Sequence, residues 1–166
     1  MKISLYVLVV LLSSFARSSI ATPWGMAASA TTKASDGQLS ICLPDKKLRG
    51  VTLHSVIVIE NQRGKGHGLN MWKIELQKDA APITLNQRDC ILYGAQVPGY
   101  LESETAKPLE VGSVYYARVN VDVANATRVS ILFYDVVFCV APQRDGGVIY
   151  PQYKIDRNGR ELDSPC

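Results

Sequence analysis

Residues 114–123 read Val-Tyr-Tyr-Ala-Arg-Val-Asn-Val-Asp-Val, and this two-residue period constrains the fold more than any other feature of the chain. Tyr115, Ala117, Val119, Val121 and Val123 fall on one side, and Tyr116, Arg118, Asn120 and Asp122 on the other. Successive side chains of a strand point to opposite faces, so this run is a half-buried strand. Residues 51–60 alternate in the same way, with Val51, Leu53, Ile57 and Ile59 expected inward and small Ser55 among them. Trp72, Ile74 and Leu76 are expected to face in between outward Lys73 and Glu75. Shorter strands are expected at residues 38–43, 80–85 and 90–93. The run 129–140 is apolar on both faces, as a central strand is, and Asp135 interrupts it at an expected bulge. Strands 51–60 and 69–77 form one expected hairpin, and 114–123 with 129–140 a second. No window shows a helical period. The pattern therefore predicts an all-β domain, an antiparallel β-sandwich of immunoglobulin-like type.

The N-terminus sets the compartment. Lys2, the apolar run Leu5–Leu12 and the small residues of Ser19-Ile20-Ala21 form an export signal, with cleavage expected after Ala21. This apolar run is too short for a membrane span, which takes about 20 residues. Removal of Lys2 and Arg17 lowers the formal charge from +3 to +1. A nearly neutral domain has no field to draw it to nucleic acid. Residues 22–36 are rich in Ala, Ser and Thr without a period and are expected as a flexible leader. The sandwich is expected over 37–143, and a polar tail with a hairpin at Asn158-Gly159 over 144–166.

An exported chain with an even number of cysteines forms disulfides. Cys42, Cys90, Cys139 and Cys166 allow three connectivities, and Cys42 with Cys139, leaving Cys90 with Cys166, is favoured because Cys42 and Cys139 sit near strand ends beside polar residues. Zinc binding would need close pairs such as Cys-x-x-Cys, which the chain lacks.

Catalytic groupings are missing from the pattern. His54 and Ser55 are adjacent on a strand and so point apart. There is no Gly-x-Ser-x-Gly elbow, and paired cysteines leave no free thiol. Arg63-Gly64-Lys65-Gly66-His67-Gly68 departs from the phosphate-loop pattern, and residues 156–159 from a calcium loop. Asn125-Ala126-Thr127 is an acceptor sequon. The expectation is a non-enzyme without cofactor or metal. Arg63, Lys65 and His67 in the glycine-punctuated loop, with outward Tyr116, are the expected partner-binding residues, since loops on rigid scaffolds carry recognition. Trp72, Tyr115 and Phe133 are expected in the core, with Tyr116 and Tyr134 on the opposite faces of their strands.

The landmarks Gly37-Gln38-Leu39-Ser40-Ile41-Cys42, Trp72-Lys73-Ile74, Asp89-Cys90-Ile91-Leu92-Tyr93-Gly94, Pro108-Leu109-Glu110-Val111-Gly112 with Tyr115-Tyr116, and Phe138-Cys139-Val140 resemble a bacterial family. It is the family of type VI secretion immunity periplasmic (lipo)proteins, and the resemblance spans residues 37–141. Unlike many of these, the chain shows no lipobox cysteine and carries a tail ending in Cys166. The resemblance implies a periplasmic or secreted protein that binds and neutralises a toxin effector, and it carries over no active-site residue. The alternative is a structural or adhesive surface module that self-associates through sheet edges.

Overall fold

Strands account for every regular element in the described residues of the computed structural model, which are 27–45, 50–61, 68–122, 132–144, 146–155, 161–163 and 165–166. In chain order they are β1 (Ala27–Ser29), β2 (Thr31–Ser35), β3 (Gln38–Cys42), β4 (Val51–Glu60), β5 (Leu69–Leu76), β6 (Thr84–Leu85) and β7 (Cys90–Leu92). There follow β8 (Tyr100–Glu104), β9 (Val114–Asp122), β10 (Phe133–Cys139), β11 (Ala141–Pro142), β12 (Val148–Ile149), β13 (Lys154–Ile155) and β14 (Glu161–Asp163). The expected all-β class holds. The export signal, residues 62–67, the sequon and the Asn158-Gly159 turn lie outside the described residues.

A seven-stranded sheet runs β1-β10-β9-β4-β5-β8, with β6 added on β4. The two expected hairpins are both present as antiparallel pairs, β4 with β5 and β9 with β10. The sheet is mixed, however, because β1 lies parallel to β10, Ala27 opposite Phe133 and Ser29 opposite Asp135. A second sheet runs β2-β3-β7, and β11-β12 and β13-β14 form two-stranded ladders. Leu39, Ile41 and Ile91 of the small sheet share one core cluster with Val56, Val58, Trp72, Tyr115 and Phe138 of the large one. Tyr115 stacks on Phe138 at 5.6 Å, and Trp72 meets the ring of Tyr93 edge-on at 5.4 Å.

Residues 27–35, expected within a flexible leader, are two strands. The missed signal is Asp36-Gly37, with φ of 50° and 77°. Two consecutive left-handed residues make the tight turn that joins strands paired from Ser35 opposite Gln38 to Thr31 opposite Cys42.

Within β4 the expected inward set is half wrong. Leu53 lies opposite Val121 but Ser55 opposite Asn120, so His54 is an extra residue in the ladder. This bulge inverts the alternation. Val56 and Val58 are fully buried, whereas Ile57 and Ile59 turn to the other face, half-buried. Strand β10 differs too. Its register with β9 is unbroken, so Asp135 sits on a regular strand and not at a bulge. Tyr134, Val136 and Phe138 are the buried set, and Phe133 is on the outer face rather than in the core.

The disulfides are Cys42–Cys90 and Cys139–Cys166, which corrects the expected pairing. Cys42 and Cys90 stand opposite each other across β3 and β7, with Cα atoms 3.9 Å apart. The Cys139 amide donates to Pro151 O, which lays the tail along β10 and carries Cys166 back to Cys139. Strand adjacency decides the first bridge and the return of the tail along β10 the second, and the linear sequence contains neither. Two disulfides fit a compartment outside the cytoplasm. No helix among the described residues is long and apolar enough to cross a membrane.

Candidate functional site

The large sheet buries one face and presents the other as a grid. Tyr116 of β9 stands between Val137 of β10 and Ile59 of β4. One row along, Arg118 stands between Asp135 and Ile57, and Lys73 of β5 lies beyond Ile57. In the third row Asn120 stands between Phe133 and Ser55, with Glu75 beyond. The His54 bulge places Ile57 and Ile59 here. None of Ile57, Ile59, Tyr116, Phe133 or Val137 belongs to the core cluster.

The polar groups of the grid hold one another. The Tyr116 hydroxyl donates to Asp135 Oδ2 at 3.1 Å. Arg118 Nη2 reaches the same oxygen at 3.5 Å. The Arg118 guanidinium lies 3.8 Å from the centre of the Phe133 ring and 5.4 Å from that of Tyr116. Its Nε is buried and has no hydrogen-bond partner among the described residues. Burial, followed by the Asp135 charge, pushes the Tyr116 phenol up to about 12, so it remains a donor at any physiological pH. Asn120 Nδ2 donates to Ser55 Oγ at 2.8 Å. On β5, Lys73 and Glu75 pair at 2.9 Å.

Beside this grid runs a cleft of about 370 Å3. Ser29 and Ala30 form one wall, Gln152, Tyr153 and Lys154 of the tail the other, and Tyr116, Asp135 and Val137 are exposed to it. The tail is fixed there by Tyr153 N–H donating to Val137 O at 2.9 Å and by the bridge from Phe138 to Gln152.

Of the expected partner-binding residues, only Tyr116 is described, on the outer face as its strand phase required. Arg63, Lys65 and His67 lie outside the described residues. The sequence reading missed Arg118, Phe133 and Asp135 as neighbours of Tyr116. Arg118 could have been found two residues along the same face, but Phe133 and Asp135 needed the register of β9 on β10.

A hydrolytic pair is not assembled at His54 and Ser55. Ser55 Oγ is taken by Asn120, while His54 Nδ1 lies 3.9 Å from Asp122 Oδ2 with both side chains exposed. Among the described residues no group of three His, Cys, Asp or Glu could hold a metal ion. Chemically, the grid suits the capture of another surface. Tyrosine and arginine bearing apolar neighbours are the residue types that dominate protein–protein binding energy. The chain matches no protein-family profile, no curated protein and no solved structure.

Proposed function

We propose that this chain is an exported, non-catalytic binding protein of immunity type that neutralises a secreted toxin in the periplasm, docking it on the outer face of the large sheet. The observation that carries the reading is the grid itself, in which Tyr116, Arg118, Phe133, Ile57 and Ile59 gather outside the core. The resemblance of the landmark residues supports the toxin as partner. Rigid strands position the grid, so little entropy is lost on docking. The two sheets are read as the stacked layers of an immunoglobulin-like sandwich, supported by their shared core cluster.

Sheet-edge adhesion, the alternative, has less support. Strand β8 ends the sheet with a bulge at Ser103 and with Glu102 and Glu104, features that deter strand addition. At the other end, β1 and residues 151–153 cover the free edge of β10.

The test is survival of cells challenged by a periplasm-delivered toxin encoded beside the gene for this chain. The wild-type protein is expected to protect, and Tyr116→Ala and Arg118→Ala to lose protection at equal periplasmic levels. Failure of the wild-type protein overturns the immunity reading, and full protection by both variants overturns the docking face.

A further inference from the structure

We infer that the same outer face also takes a second copy of this chain, forming a weak two-fold dimer while no other partner is bound. The inference rests on the docking face proposed above. It starts from the pairing of β9 with β10, where Tyr116 stands opposite Val137, Arg118 opposite Asp135 and Asn120 opposite Phe133. A two-fold axis along the strands, midway between β9 and β10, stacks two sheets face to face about 10 Å apart. That operation places each β9 residue over its own register partner in the second copy. Arg118 then faces Asp135 of the second copy, Tyr116 faces Val137, and Asn120 faces Phe133, each contact made twice.

The charges permit this. Within the overlapping strands the three rows carry Arg118 against Asp135, one of each sign, so these rows of a copy meet themselves without net repulsion, while Lys73 and Glu75 of β5 lie beyond the overlap. Both members of the central pair have bonding capacity left. Arg118 and Tyr116 converge on Asp135 Oδ2, and Oδ1 receives no hydrogen bond among the described residues. The Arg118 contact within the chain is long, at 3.5 Å.

Shape follows the same operation. Ile57 and Ile59 lie on β4, one strand outside the axis, and so face the β1 side of the second copy. The cleft of about 370 Å3 between Ala30 and Tyr153 opens there. Four strands, β1, β10, β9 and β4, overlap under this operation, and by three rows they span about 19 Å by 20 Å, roughly 380 Å2 in projection. A stable complex takes about 800 Å2 per partner, so the dimer is expected to be weak and transient.

Sedimentation of the oxidised, exported protein over a concentration series reads this directly. The wild-type protein is expected to pass from monomer to dimer. Arg118→Asp and Asp135→Arg are each expected to weaken association at least about tenfold, because like charges then meet across the axis. Mixing the two variants is expected to restore the dimer, since both cross-axis pairs become opposite in sign while the pair within each chain stays repulsive. A wild-type protein still monomeric at about 1 mM overturns the dimer and leaves the toxin-docking reading standing. Single variants that dimerise like the wild type, or a mixture that stays monomeric, overturn the face. Should either variant fail to fold, amide shifts of the wild-type protein on dilution decide. Shifts at Ile57, Tyr116 and Val137 support the dimer, and shifts confined to other strands overturn it.

Discussion

At the residue scale, tyrosines do two jobs in this protein. Their rings fill the core, and their hydroxyls tie down loops. Tyr93 Oη lies 2.7 Å from Lys107 O and 3.0 Å from Met71 O. Tyr100 donates to Leu53 O, Tyr150 donates to Gly37 O, and Tyr115 accepts from the Glu110 amide. Burial pushes Tyr93, like Tyr116, up to about 12. In the unfolded chain these phenols ionise near pH 10, so the unfolded state loses protons first. Their contribution to stability is complete below pH 10 and is lost as pH rises toward 12. Urea unfolding at pH 9 and pH 11 is expected to show that fall, and Tyr93→Phe to reduce it while costing about 1–2 kcal/mol at pH 7. A Tyr93→Phe variant as stable as the wild type at pH 7 would show that the hydroxyl holds no loop. Which tyrosines anchor loops was not legible in the sequence, because each acceptor comes from a distant segment.

At the element scale, one inserted residue decides what β4 offers to the core and what it offers to the outside. The alternation of residues 51–60 makes Ile57 and Ile59 the inward pair, and the His54 bulge reverses this. Val56→Asp is therefore expected to unfold the protein, since an unpaired charge in the core costs several kcal/mol. Ile57→Lys is expected to change stability by no more than about 1 kcal/mol in urea titration. The opposite ranking would restore the unbulged strand. The tail is the other element whose role emerged only on folding. Residues 151–153 pair with β10 and Cys166 closes the clasp on Cys139. Replacing both Cys139 and Cys166 by Ser is expected to cost about 2–4 kcal/mol and to speed hydrogen exchange at the Tyr153 amide. Replacing Cys42 and Cys90 is expected to leave that amide protected, because their bridge links β3 to β7, whereas the Tyr153 amide is held by Val137 of β10.

At the scale of the whole molecule, the large sheet buries one face, leaves Ile57, Ile59, Tyr116, Phe133 and Val137 of the other outside the core, and ends at β8 with a bulge and two glutamates. The small sheet fills the core side, and the grid around Tyr116 and Arg118 holds the other. A bulge and charges on an end strand deter its pairing with another chain. Deleting Ser103 together with Glu104→Val is expected to straighten β8 and remove a charge from it, raising light scattering with concentration. A variant as soluble as the wild type would show that β8 does not guard the edge.

The sequence by itself determined the strand class, both long hairpins, the outward phase of Tyr116 and the pairing of all four cysteines. Each of these is written in local order, in a two-residue period or in a residue count. Tertiary structure alone decided the disulfide partners, the inversion of β4, the inward turn of Tyr134, the parallel β1 and the meeting of Arg118 with Asp135. These depend on which strands become neighbours and in what register. That choice comes from burying both sheets in a single core, and no short window of residues contains it.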